Sequence, residues 1–255
     1  MAEAAALRSP PAARPAEPIL RLEGVHTHIG PYHILHGVDF EVPSGGLTML
    51  LGRNGAGKTT TLRTIMGLWP ASRGRITFEG RDITARATPD IALAGIGYVP
   101  ESMGIFSDLT VRENLVLAAR RGPIDTARLD WIFSLFPALK RFWALPAGQL
   151  SGGQKQMLAI SRAIAEPRRL LLIDEPTKGL APVIVRNMIE AFQALKKSGE
   201  TILLVEQNFY AASQLGDTVL VMDDGRIVHS GPMQDLVADA ALQQRLLGLS
   251  LDIHQ

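Results

Sequence analysis

Thr48-Met49-Leu50-Leu51-Gly52-Arg53-Asn54-Gly55-Ala56-Gly57-Lys58-Thr59-Thr60 is the stretch from which the rest of the chain is read. Its first four residues form an apolar run of strand length, as expected of a strand buried on both faces. Gly52 to Thr59 then fits G-x-x-x-x-G-K-[ST]. Leu62, Ile65 and Met66 share a helical face after it, and Gly67 suits the stop. Strand, glycine-rich bend and helix start, in that order, make an anion cradle. The glycines let successive N–H groups converge on one anion, and the helix start adds the positive end of its dipole. Lys58 supplies a point charge to β- and γ-phosphates, Thr59 offers a hydroxyl to Mg²⁺, and Thr60 reaches another phosphate. The expected ligand is a nucleoside triphosphate, bound by Gly52, Arg53, Asn54, Gly55, Ala56, Gly57, Lys58, Thr59 and Thr60.

Two further apolar runs, Leu170 to Ile173 and Ile202 to Val205, and a weaker one, Ile96 to Val99, read as strands of the same buried sheet. Helical periodicity lies between them. Leu129, Ile132, Phe133 and Phe136 form one face, with Pro137 as the stop; Val185, Met188, Ile189, Phe192 and Leu195 form another, closed by Ser198 and Gly199. Thr110 and Glu113 are spaced as a capping box before Leu115 and Leu117. Strands alternating with helices predict an α/β fold with a parallel sheet covered on both sides. Ile19 to Val25 and Val38 to Val42 instead alternate apolar with polar, and Arg75 to Phe78 pairs with the residues after Gly80. They predict a flanking antiparallel region. Val219 to Met222, Asp224-Gly225 and Ile227-Val228 read as a late hairpin. A helical stretch of about Thr110 to Gly148 is inserted before Leu150, and no internal repeat is present.

The chain has 255 residues, of which 46% are hydrophobic, enough for a sizeable core. Its 26 Lys+Arg and 25 Asp+Glu leave no general field to attract nucleic acid or an anionic membrane. There is no cysteine, which excludes disulfides, thiolate metal sites and cysteine nucleophiles. Met1 to Glu17 is rich in Ala and Pro, is broken by Arg8 and Arg14, and is expected to be a disordered tail rather than a signal peptide. No apolar run approaches the ~18 residues of a membrane span. The expectation is a soluble chain that needs a partner for any work at a membrane.

Asp174-Glu175 stands at the exit of the apolar run Leu170 to Ile173. Ligands of open α/β sheets gather at that carboxyl edge. With a phosphate loop in the same chain, Asp174 is expected to hold Mg²⁺ and Glu175 to orient or deprotonate an attacking water. Taken alone, the pair is equally compatible with two solvated acids before the turn at Pro176. Leu150-Ser151-Gly152-Gly153-Gln154 precedes a helical stripe of Met157, Leu158, Ile160 and Ile164. Ser151 and Gln154 make a second capping box, but a cap does not require two glycines, which cost helix stability. Close approach of the backbone to an anion explains them.

Phosphate loop, LSGGQ and an apolar strand ending in Asp-Glu, in this order, resemble the ABC ATPase family over about Ile19 to Leu249. The resemblance implies a P-loop NTPase core with the flanking antiparallel region and an inserted helical subdomain. It places the ATPase domain at 18–255, with the signature-bearing helical part at about 102–165. It implies two subunits that sandwich ATP, so that Ser151, Gly152, Gly153 and Gln154 of one face the phosphate held by Lys58 of the other. Glu175, Gln207 and Lys58 become the catalytic set, and Thr59, Asp174 and Glu101 the metal set, with ATP and Mg²⁺ as cofactors. The implied partners are two transmembrane permease subunits, a second ABC ATPase subunit (identical or paralogous) and, indirectly, a periplasmic solute-binding protein, without nucleic acid. The implied place is the cytoplasmic face of the inner or plasma membrane.

Four positions depart from the commonest family pattern. Glu101 in Val99-Pro100-Glu101 replaces a glutamine, and Gln207 in Val205-Glu206-Gln207-Asn208 replaces a histidine. Lys178-Gly179-Leu180-Ala181-Pro182 stands where an aspartate loop is usual, and Ile29 where an aromatic ring stacks on adenine, Tyr32 being the nearest ring. Glu101 can still bind a cation through oxygen, and Gln207 can still donate a hydrogen bond, though it cannot carry a proton as His can. VPE, GLAP and VEQN together resemble the ATPases of branched-chain amino acid importers, with urea and short-chain amide importers close by. Met103, Ile105 and Phe106 are equally readable as permease contacts or as ordinary packing. The competing functions are a soluble ABC ATPase of DNA repair or translation, an ATP sensor that does not hydrolyse, and an exporter subunit. One cassette, no sustained heptads, balanced charge and no membrane segment count against the first and last.

Overall fold

The computed structural model describes residues 17–120 and 122–248. Apart from Glu17, the expected disordered tail lies outside them. In chain order the elements are β1 (Leu20–Ile29), β2 (Tyr32–Val42), β3 (Leu47–Gly52), α1 (Lys58–Ile65), β4 (Ala71–Phe78), β5 (Arg81–Asp82), α2 (Thr88–Ala94), β6 (Ile96–Val99), α3 (Val111–Ala118) and α4 (Thr126–Leu135). They continue with α5 (Pro137–Arg141), α6 (Gly152–Ala163), β7 (Leu170–Asp174), α7 (Pro182–Lys197), β8 (Ile202–Val205), α8 (Phe209–Leu215), β9 (Thr218–Asp223), β10 (Arg226–Pro232), α9 (Met233–Ala238) and α10 (Ala240–Leu247).

The apolar runs become neighbours. A six-stranded sheet has the order β10-β9-β3-β8-β7-β6, parallel except for its edge strand β10. Its strands are apolar throughout because each face is covered, and alternate residues go to opposite cores. Met49, Leu51, Leu171, Ile173, Leu204 and Val221 face one core, shared with α6 and α7. Leu50, Leu170, Leu172, Leu203, Val205 and Leu220 face the other, shared with α1 and the second sheet. That second sheet is antiparallel, in the order β2-β1-β4-β5.

Two local expectations are corrected. β1 and β2 run on to Ile29 and Tyr32 as one long hairpin. Their register shifts between Leu22 and Val25 and again near His26 and His28, and such bulges break the period of two that sequence patterning follows. Pro137 opens the five-residue α5 rather than only closing α4, since a first helical turn does not need its missing N–H. The capping box at Thr110 and Glu113 is present, but of the two leucines after it only Leu115 is buried.

Register places the site. Leu50 pairs with Val205, Val205 with Asp174, and Ile173 with Val99. The chain segments leaving β3, β6, β7 and β8 therefore emerge along one sheet edge, the carboxyl edge where open parallel sheets bind ligands.

Candidate active site at the carboxyl edge

Gly52 ends β3 with φ of 147°, and a Cβ there would lie 2.2 Å from the Met222 carbonyl oxygen, so β9 packs too close for any side chain. The loop turns at once into α1. Lys58 bends back over it and donates to the carbonyl oxygens of Gly52 at 2.8 Å and Arg53 at 3.0 Å. Its ammonium is buried, which lowers its pKa, while Glu175 and Asp174 oppose that shift. Arg53, Asn54 and Gly55 are exposed, and Ala56, Gly57, Lys58 and Thr60 are buried.

Asp174 is fully buried at the end of β7 and accepts from the Thr59 hydroxyl at 3.2 Å. Burial pushes its pKa up to about 6, with the Thr59 hydrogen bond opposing and the Glu175 charge adding. The other carboxylate oxygen, Oδ2, is buried without a hydrogen-bond partner. A buried acceptor of this kind beside a hydroxyl is a donor set for a hard divalent cation.

Glu175 follows in a left-handed backbone conformation, φ 46°. Its Oε1 accepts from Gln207 Nε2 and lies 3.8 Å from Lys58 Nζ; its Oε2 lies 3.1 Å from Lys178 Nζ. Lys178 also reaches Glu101 Oε1 at 2.6 Å, and these two acids hold its pKa up, Glu101 first. Lys58, Thr59, Thr60, Glu101, Glu175, Lys178, Gln207 and the apolar Ile34 all face one open cleft of about 420 Å³.

Of the proposed phosphate, metal and catalytic positions, Asn54, Gly55, Gly57, Lys58, Thr59, Thr60, Glu101, Glu175 and Gln207 line this cleft; the buried Asp174 is tied to it through Thr59, Gly52 and Arg53 line a second cleft with Gln207, and the signature stands apart. Ser151 to Gln154 do not line this cleft. Ser151 and Gly152 are exposed at the start of α6, where the capping box is formed: Gln154 Oε1 accepts from Ser151 N at 2.9 Å. Gly153 has a packing reason of its own, since a Cβ there would meet Ile184 Cγ2 of α7 at 2.6 Å. Gly152 meets nothing closer than Leu180 at 3.9 Å. Tyr32, paired with Ile29 across the β1–β2 turn, is 70% exposed. Met103 and Ile105 pack against the core, whereas Phe106 is half exposed beneath the Arg162 guanidinium.

Sequence reasoning quoted Lys178 and Glu206 within departing segments but gave neither a role. Lys178 sits in a loop with no periodic signal. Glu206 carried the same signal as Asp174-Glu175, an acid directly after a buried apolar strand.

The profile of the family described as ABC transporter matches residues 35–178. The chain belongs to the ABC transporter family. It is 38% identical to the high-affinity branched-chain amino acid transport ATP-binding protein BraG of Pseudomonas aeruginosa, over 90% of this chain and 100% of that protein. It is 33% identical to the probable branched-chain amino acid transport ATP-binding protein LivF of Archaeoglobus fulgidus, over 85% of this chain and 93% of that protein. Among solved structures, the ADP conformation of an ATP-binding cassette of an ABC transporter superposes with a TM-score of 0.75 at 27% identity, covering 92% of this chain and 100% of that one. This ABC chain binds and hydrolyses ATP. No helix among its described residues is long and apolar enough to cross a membrane.

Proposed function

We propose that the chain drives uptake of a small solute, branched-chain or related amino acids, by hydrolysing ATP in a site completed by a second ATPase subunit. The observation that carries this reading is a division within one chain. Asn54, Gly55, Gly57, Lys58, Thr59, Thr60, Glu175 and Gln207 share one cleft, with the buried Asp174 hydrogen-bonded to Thr59, while Ser151 and Gly152 stand exposed outside it. A cradle open on one side leaves the terminal phosphate in water. A second glycine-bearing helix start, from another subunit, supplies further N–H donors and excludes that water. The relatives named above supply the substrate class.

Within the cleft, residues 52–60 wrap the phosphates and Lys58 neutralises the terminal pair. Thr59 and Asp174 would hold Mg²⁺, which would supply positive charge to offset that building on the phosphate oxygens. The unpartnered Asp174 Oδ2 fits that ion. Glu175 takes the proton of the attacking water, and Gln207 orients Glu175 through its amide N–H. Glu101, which holds Lys178 here, would offer that cation a further oxygen. The helical part at about 102–165, with Phe106 on its surface, meets one of two transmembrane permease subunits on the cytoplasmic face. A solute-binding protein acts on the far side.

Replacing the base tests this. Glu175→Gln keeps the shape and loses the proton acceptor. Turnover should fall on the order of 10²-fold or more, with ATP still bound, and the variant should sediment as a dimer in ATP and as a monomer in ADP. Turnover close to wild type would remove Glu175 from its role. A monomer in ATP, with the permeases absent or present, would remove a site shared between two identical chains.

A further inference from the structure

Glu206 is a carboxylate, 2% exposed, in the segment between β8 and α8. Its Oε1 accepts from Thr177 N at 3.1 Å; its Oε2 accepts from Gln207 N at 3.1 Å and Asn208 N at 3.3 Å. All three donors are backbone groups, and they belong to two separate segments. Thr177 lies just past Glu175-Pro176, and Gln207 is the residue whose side chain donates to Glu175. A ring closes: from Glu175 along the chain to Thr177, across to the Glu206 carboxylate, along the chain to Gln207, and back through its amide to Glu175 Oε1.

Glu175 needs such a clasp. Its φ of 46° is unfavourable for a residue with a Cβ, and such conformations persist only where the surroundings over-determine them. One side is held by Glu175 N donating to Val205 O at 2.9 Å. The other is held two residues on, by Thr177 N on Glu206.

We propose that Glu206 is a positioning residue for hydrolysis, clamping the backbone on both sides of the contact between Glu175 and Gln207. This rests on the reading of Glu175 and Gln207 given above. Glu206 touches neither phosphate nor water in this role; it acts by fixing where those two side chains start. Only a carboxylate meets the demand, because acceptors are needed on both oxygens. An amide has one oxygen and one NH₂, so either Thr177 N–H or the Gln207–Asn208 pair would face a donor.

The test is steady-state hydrolysis by the full-length chain, in the assembly in which wild type turns over. Glu206→Gln should lower kcat about 10- to 100-fold while the KM for ATP and the binding of a fluorescent ATP analogue stay within about threefold. A purely structural role would lower binding, melting temperature and kcat together; that result, or an unchanged kcat, overturns the proposal. If Glu206→Gln folds poorly, Glu206→Ala decides. A cleft of about 410 Å³, lined by Gly52, Arg53, Glu206, Gln207, Phe209 and Leu247, adjoins the vacated place. Added formate should then raise kcat several-fold without changing KM, and should do nothing for wild type; no rescue overturns the proposal. Glu175→Gln measured alongside keeps the two readings apart, since its full activity would indict the base and not the clamp.

Discussion

Lys178 touches Glu101, 77 positions away along the chain, and lies 3.1 Å from Glu175, which is buried. Its ammonium neutralises two acids of the nucleotide cleft. Lys178 is half exposed, so water screens its pairs, but Glu175 has little other compensation: Lys58 at 3.8 Å and the Gln207 amide. Lys178→Ala is therefore expected to lower the stability of the nucleotide-free chain slightly. Urea unfolding at low salt measures it, and the cost should shrink at 1 M salt, where screening is strong. A variant as stable as wild type at low salt would mean that the contact contributes nothing. The acids of this cleft were legible as motif positions. The lysine was not, because its meaning lies in which loops meet.

The signature helix α6 shows how one motif can serve two masters. LSGGQ predicted a capped helix start, and Ser151 and Gln154 make that cap. Both glycines were read as backbone exposed toward an anion. The geometry divides them: Gly152 is open, and Gly153 is pressed against Ile184 at the start of α7. Alanine in a helix is ordinarily better than glycine, but here its methyl has no room. Gly153→Ala should destabilise the chain by ~1–3 kcal/mol, and Ile184→Ala in the same chain should recover most of that loss. Thermal or urea unfolding of the two single variants and the double variant checks it; additive losses would rule the contact out. Elements followed their patterns wherever the period was unbroken, as at β3, β7, β8 and α7. They departed from them at the β1–β2 bulges and at Pro137, where the backbone changed register or began a new turn.

For the whole molecule, the separation of Ser151 from the phosphate cleft carries the largest consequence. The chain contains no cysteine, so introduced pairs report without background. Ser151→Cys and Arg53→Cys placed together on a Glu175→Gln chain should cross-link into a species of twice the mass when ATP is present. ATP withheld, or ADP in its place, should leave the chain single. A disulfide closing inside one chain would mean that the two motifs meet without a second subunit.

The linear order of residues by itself determined the parallel core, the phosphate loop and the acid pair at a strand exit. Each of these is local: a hydrophobic period, a backbone bend, a helix start. Tertiary structure alone decided that β3, β6, β7 and β8 end along one edge, that Lys178 bridges Glu101 and Glu175, and that Glu206 clasps the turn after Glu175. Those contacts join segments far apart in the chain. Strand order and register set them, and neither is encoded in any single window of sequence.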